Sequence, residues 1–313
     1  MESFYLVLKQ LEIFTVIILV GIIGIKTKAL QEQCLGDLSK LIMRLILPIM
    51  IFHKSINGAT RNDMLLCFSE VVLSAIFMYG MLFLTGLTLK RIFSLQGDYG
   101  RVFHASTMFG NVGFIGIPLI LGILPERGML YMALFSIIDQ VLLWSVGVHL
   151  TLPQDKLAHN SLKANLKNIV NPAMLAIVSA IFFILMEWKL PVMLNNAFGV
   201  VGDMTTPLSL IYIGGTFCFY DVRRFIAKLE YYAIVGIKMI IIPVVIFSVL
   251  RFLHVQPEIV TFITMLTGMP SMSAIAMLAR INESNEECAI GAIMITTILC
   301  LVTLPLVAYL TSY

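Results

Sequence analysis

Charge is what this sequence has least of. Only 12% of its 313 residues are Asp, Glu, Lys or Arg, about half the share usual in a soluble domain, so a water-facing globule is excluded. Cysteine is sparse as well. Cys34, Cys67, Cys218, Cys288 and Cys300 form no CxxC pair, which leaves neither a disulfide framework nor a zinc site to expect. No HExxH, GxSxG or phosphate-binding glycine loop occurs, so the common enzyme constellations are missing, and no enzyme activity, cofactor or metal is expected. The net charge of +3 includes no basic run of the kind that holds nucleic acid. The first apolar stretch lacks a basic leader and a small-residue cleavage site, so it reads as a membrane span and not as a cleaved signal.

What the chain has is apolar length: 59% hydrophobic residues and a mean hydropathy of +0.95. Ten runs approach the roughly 20 residues needed to span a bilayer core: 11–25, 35–52, 64–89, 102–124, 129–151, 172–188, 194–219, 231–252, 257–279 and 288–311. Fourteen Lys and Arg fall on odd-numbered loops and six on even loops and termini. Positive charge collects on the cytoplasmic side, so both termini are expected outside. The longest polar linker, 153–171, separates two five-segment halves, 1–152 and 172–313. The halves align by spacing, with Pro48 and Gly110 lying 62 residues apart and Pro207 and Gly268 61. Because each half holds an odd number of spans, the second is expected inverted relative to the first. The fold expected is an all-α membrane protein of ten transmembrane helices in two inverted five-helix repeats.

Two segments are poor helix formers at membrane depth. Phe109–Leu119 (FGNVGFIGIPL) carries Gly110, Gly113, Gly116 and Pro118, and Thr267–Ala274 (TGMPSMSA) carries Gly268 and Pro270. Glycine costs a helix about 1 kcal/mol and an interior proline about 3, so both segments are expected to unwind. Non-helical backbone in a bilayer survives only where protein or a wet cavity surrounds it. Matching breaks in inverted halves mark a transporter's binding site.

Four motifs then carry a resemblance: Leu45–Phe52 (LILPIMIF), Gly110–Ile120 (GNVGFIGIPLI), Thr205–Gly215 (TTPLSLIYIGG), and Gly268–Arg280 (GMPSMSAIAMLAR) followed by Thr297–Leu306 (TILCLVTLPL). In order and in spacing they resemble the signature segments of the auxin efflux carrier family. The resemblance implies that helices 4 and 9 break and cross, that one bundle scaffolds a homodimer, and that the other carries substrate. It matches Asn111, Pro118 and Pro270 to crossover residues, and Asp203 and Gly214 to the seventh helix. Glu70 falls near an acidic position of the plant carriers, but Ser74 stands where those carriers have a lysine one turn on. With its short central linker the chain resembles a bacterial member, whose relatives are associated with dicarboxylates such as malate and malonate. The bile acid sodium symporters share the crossover plan, which keeps a sodium-coupled alternative open; a metabolite receptor that moves nothing is the alternative from another class.

Crossed half-helices present unpaired N–H groups and positive dipole ends, which suits a small organic anion. The substrate-binding residues expected are Gly110, Asn111, Gly113, Pro118, Thr267, Gly268, Pro270, Ser271 and Ser273, with Asn111, Thr267, Ser271 and Ser273 as side-chain donors. Asp139, Asp203 and Glu70 are the ionisable groups expected to couple a proton. With no acidic side chain at the crossing itself, H⁺ coupling or uniport is favoured over Na⁺. Lys238 is expected to snorkel to the interface and not to meet substrate.

Overall fold

The computed structural model describes residues 2–58, 60–155, 172–219, 221 and 223–311. Most of the 153–171 linker lies outside the described residues. All regular structure among the described residues is helical: α1 (Glu2–Lys26), α2 (32–58), α3 (Arg61–Ile92), α4 (Gly97–Met108), α5 (Val112–Ile123), α6 (Gly128–Thr151), α7 (Pro172–Leu185), α8 (Val192–Phe217, with a turn at Met204), α9 (Leu229–Phe252), α10 (Pro257–Thr267), α11 (Ser273–Ile281) and α12 (Glu286–Leu310), besides one turn at Arg223–Ile226. Among the described residues six helices, α1, α3, α6, α8, α9 and α12, are long and apolar enough to cross a membrane. The chain is a multi-pass membrane protein. A helix satisfies its own backbone groups, which is why it is the default in lipid. Hydroxyls at depth do the same locally, as Thr15, Ser136 and Thr267 each donate to the carbonyl four residues back.

Prolines shape three of these helices. Pro48, Pro118 and Pro243 each follow a stretch of wide π-turns, at Ile42–Ile46, Val112–Gly116 and Ile234–Ile241. A proline ring collides with the carbonyl four residues earlier and offers no N–H; widening the preceding turn relieves the collision without breaking the helix. Pro207 sits in the first turn after the Met204 interruption of α8. The sequence predicts a longer break at 109–119 than the chain has. Only 109–111 leave the helix, and Gly113, Gly116 and Pro118 lie in wound backbone. Pro118 falls in the opening turn of its regular helical segment, where a missing N–H costs little.

Close packing relies on small residues where lipid gives no hydrophobic drive. A Cβ on Gly21 would sit 2.3 Å from the Ile211 carbonyl oxygen, and one on Gly214 2.0 Å from that of Ile18, so α1 and α8 touch backbone to backbone. α7 packs on α2, and α8 also lies along α2. The remaining helices form a second group, in which α3 holds α4 and α6 while α9 holds α10 and α12. His104 of α4 bonds the Phe83 carbonyl of α3 at 2.9 Å. Inter-helix turns gather at two ends. At one, Asp63 pairs with Arg127 at 3.3 Å, Tyr131 donates to Glu258 at 2.7 Å, and Asn57 donates to Asn195 at 2.9 Å. At the other, Arg101 donates to the Leu152 carbonyl at 3.1 Å, Tyr99 to Glu230 at 2.8 Å, and Asn282 to Thr151 at 3.0 Å.

Candidate functional site: two broken helices pair at their crossing

α4 stops at Met108 because Phe109 turns extended, with φ −95° and ψ 126°, and α10 stops at Thr267 ahead of Gly268 and Pro270. A residue before proline is pushed out of the helical region, here Met269. The two unwound strands run antiparallel, with Gly110 opposite Ser271. Asn111 N–H donates to the Pro270 carbonyl at 2.7 Å, and Met272 N–H to the Phe109 carbonyl at 3.1 Å. Each break thus supplies the partners the other lacks, at a depth where an orphaned backbone group costs several kcal/mol. Contact is close enough to favour glycine at one point, since a Cβ on Gly110 would lie 3.0 Å from Met269 Cβ, tighter than side chains usually pack. α12 secures the pair. Thr296 Oγ1 accepts the Ser271 N–H at 3.0 Å while donating to the Ala292 carbonyl at 2.6 Å.

Around this ladder the predicted residues divide. Asn111 Oδ1 accepts the Phe114 N–H at 3.3 Å and caps α5, while its Nδ2 donates to Ser273 Oγ at 3.4 Å. Ser271 Oγ is fully buried and has no hydrogen-bond partner among the described residues. Thr267 is occupied, its hydroxyl donating to the Ile263 carbonyl at 2.7 Å. Gly268 has ordinary room beside Leu304. Gly113 faces open space, and Gly113, Ser273 and Ala274 are partly exposed where their neighbours are buried. The accessible side of the crossing is therefore Gly113, Ser273 and Ala274, with the buried Asn111 just behind them. Phe114 beside it packs against Tyr212 of α8 at 5.5 Å, placing this side next to the α1, α2, α7 and α8 group.

Asp139 is buried on α6; Tyr79 of α3 donates to its Oδ1, and Gln140 to its Oδ2 at 3.3 Å. The Tyr79 ring lies 5.7 Å from that of Phe109, so Asp139 is one aromatic layer behind the crossing. Glu70 and Asp203 are not in contact with the crossing. Glu70 accepts the Gln256 N–H at 2.9 Å, at the start of α10, and Asp203 is exposed and paired with Lys54 at 2.8 Å.

Lys238 corrects the sequence reading. It does not snorkel: it is fully buried, and its Nζ donates to the Phe109 carbonyl at 3.3 Å. Snorkelling needs a free path to the interface, and α9 packs on α3, α10 and α12 instead. The available signal was Pro243, five residues on, which widens the helix at Lys238; such turns recur at functional sites. Thr296 carried no signal, because a single threonine in an apolar helix usually bonds back to its own backbone, and neither did Tyr79, whose ring reads as apolar packing.

The paired breaks invite comparison with known proteins, and residues 6–308 match the family described as membrane transport protein. The chain belongs to the auxin efflux carrier family. It is also 23% identical over 300 residues to an uncharacterized transporter of Methanothermobacter thermautotrophicus, a match covering 93% of this chain and 94% of the relative. Both the crossing and the polar residues behind it lie inside the stretch shared with this carrier family.

Proposed function

We propose that the protein is a secondary carrier of small organic anions, mono- or dicarboxylates such as malate or malonate, working by elevator-type alternating access in a cell membrane. The observation that carries this reading is the crossing itself: two half-helices, α5 and α11, begin at paired backbone strands next to a buried serine hydroxyl that has no partner among the described residues. Helix N-termini hold anions through orphan N–H groups and the dipole, and Asn111 and Ser273 add side-chain donors. Substrate is read as entering at Gly113 and Ser273, between the two helix groups.

Ten membrane passes in two inverted repeats, 1–152 and 172–313, fit the packing. Taking the first repeat as α1, α2, α3, α4/α5 and α6, and the second as α7, α8, α9, α10/α11 and α12, the α1 to α8 contact has its counterpart in α7 to α2, and α3 to α4 in α9 to α10. The segregation of turns to two ends supports alternating passes, and charge bias puts the Arg101 end in the cytoplasm with both termini outside. The α1, α2, α7 and α8 group is the natural scaffold, and by family resemblance the homodimer surface; the second group carries substrate past it. Asp139, the only buried carboxylate among the described residues, is assigned the proton.

The test is uptake of radiolabelled malate and malonate by proteoliposomes holding the purified chain, under an imposed pH gradient and separately under a sodium gradient. Accumulation under the pH gradient is expected, and Asp139→Asn should remove that drive while leaving exchange across the membrane. Saturable binding with no movement under any condition would make the protein a receptor instead.

A further inference from the structure

A buried lysine needs an explanation that the anion site alone does not give. Lys238 is the only Lys or Arg that is buried among the described residues, and no carboxylate lies within ion-pair distance of it there. Its sole hydrogen-bond acceptor among the described residues is the Phe109 carbonyl. That oxygen belongs to the first residue past α4, at the negative end of a half-helix, and it also takes the Met272 N–H from the opposite strand. Carbonyls of unwound segments and C-terminal ends of half-helices are where carriers with broken helices bind a coupling cation, because the helix dipole favours positive charge there. The position such an ion would take is filled by the tethered Nζ of Lys238.

The lysine also sits on the far side of the ladder from the accessible residues. It arrives from α9, which packs with α3, α10 and α12, whereas Gly113 and Ser273 open beside Phe114 and Tyr212 of α8. Asp139, the only buried carboxylate among the described residues, is engaged by Tyr79 and Gln140. From these observations we infer that Lys238 is a resident cation of the crossing, taking at the Phe109 carbonyl the place of a coupling sodium ion. The carrier then binds and moves its anion without sodium, and the positive charge stays with the protein through the whole cycle. This rests on the carrier reading above, and it makes Lys238 a positioning residue: it fixes the Phe109 to Met272 ladder and lends the site its positive field.

Two measurements test it. The first is thermal unfolding of the purified full chain in detergent, which needs no knowledge of substrate. Wild-type protein should show the same midpoint in sodium chloride and in choline chloride of equal ionic strength. Lys238→Ala leaves a cavity at the carbonyl; its midpoint should fall, and methylammonium chloride should restore it saturably, since a ligand that binds only the native state stabilises it, while choline does nothing and wild type does not respond. The second is malonate uptake by Lys238→Met, which keeps the volume and loses the charge: it should fold like wild type and lose about tenfold or more in uptake. Saturable stabilisation of wild type by sodium would overturn the inference, as would a Lys238→Ala protein blind to methylammonium or a Lys238→Met protein with wild-type uptake. Should wild type move no carboxylate at all, the carrier reading fails by the uptake arm while the unfolding arm still decides Lys238.

Discussion

Asn111 does two jobs with one amide. Its oxygen caps α5 and its nitrogen reaches Ser273 across the crossing, so a truncation removes both together. Loss of an N-cap costs about 1 kcal/mol, a modest drop in a protein this size. Asn111→Ala should therefore fold with a slightly lowered midpoint and lose all stabilisation by malonate in a thermal shift assay. Asn111→Asp supplies the control: its carboxylate keeps the capping oxygen but brings a negative charge to the anion, so stability should hold while malonate binding disappears. Malonate affinity unchanged in the alanine variant would remove Asn111 from the site. At this scale the sequence was informative where chemistry is local. Gly110 and Pro270 announce a break because each fails in a helix for its own steric reason, whichever neighbours it meets. Lys238 was misread because distance to the interface, measured along one helix, says nothing of what packs around it.

The all-helical class came through, because a bilayer leaves the chain little choice of element, although α1 runs Glu2–Lys26 where 11–25 was expected. The extent of the first break did not. Only three residues on each side are needed to form the Gly110 to Ser271 pairing, and once paired, the chain regains helical bonding at once, glycines included. Contact between α1 and α8 is the most demanding feature at this scale. Gly214 has no space for a methyl group, with Ile18 backbone in the way, and overpacking costs about 1–3 kcal/mol. Gly214→Ala should lower the unfolding midpoint measurably in detergent, whereas Gly80→Ala, on α3 where a Cβ meets nothing within 4 Å, should stabilise slightly or leave it unchanged. Equal midpoints for the two variants would contradict the backbone contact.

The whole chain is legible as a plan more than as an object. Apolar runs, charge bias and spacing carry the expectation of passes and halves, while the way the helices interlock depends on contacts between residues more than a hundred positions apart. Orientation is open to a direct check. Cys34 and Cys218 are free and exposed, at the end where the α1–α2 turn meets the C-terminus of α8; Cys67, Cys288 and Cys300 are buried. A membrane-impermeant maleimide should leave intact cells unlabelled and react with both exposed cysteines after permeabilisation. Labelling of Cys34 from outside would reverse the topology.

The ladder between Gly110 and Ser271 also sets a clock on biosynthesis. About 160 residues separate its strands, and a ribosome adds roughly 5–20 residues per second, so the first strand waits on the order of 10–30 s in the membrane before its partner is made. During that interval the Phe109 carbonyl and the Asn111 amide have only the insertion machinery, trapped water or a transient helix to satisfy them. Translation speed over the second half, and whatever shelters the nascent first half, therefore govern the yield of folded protein as directly as the stability of the finished crossing does.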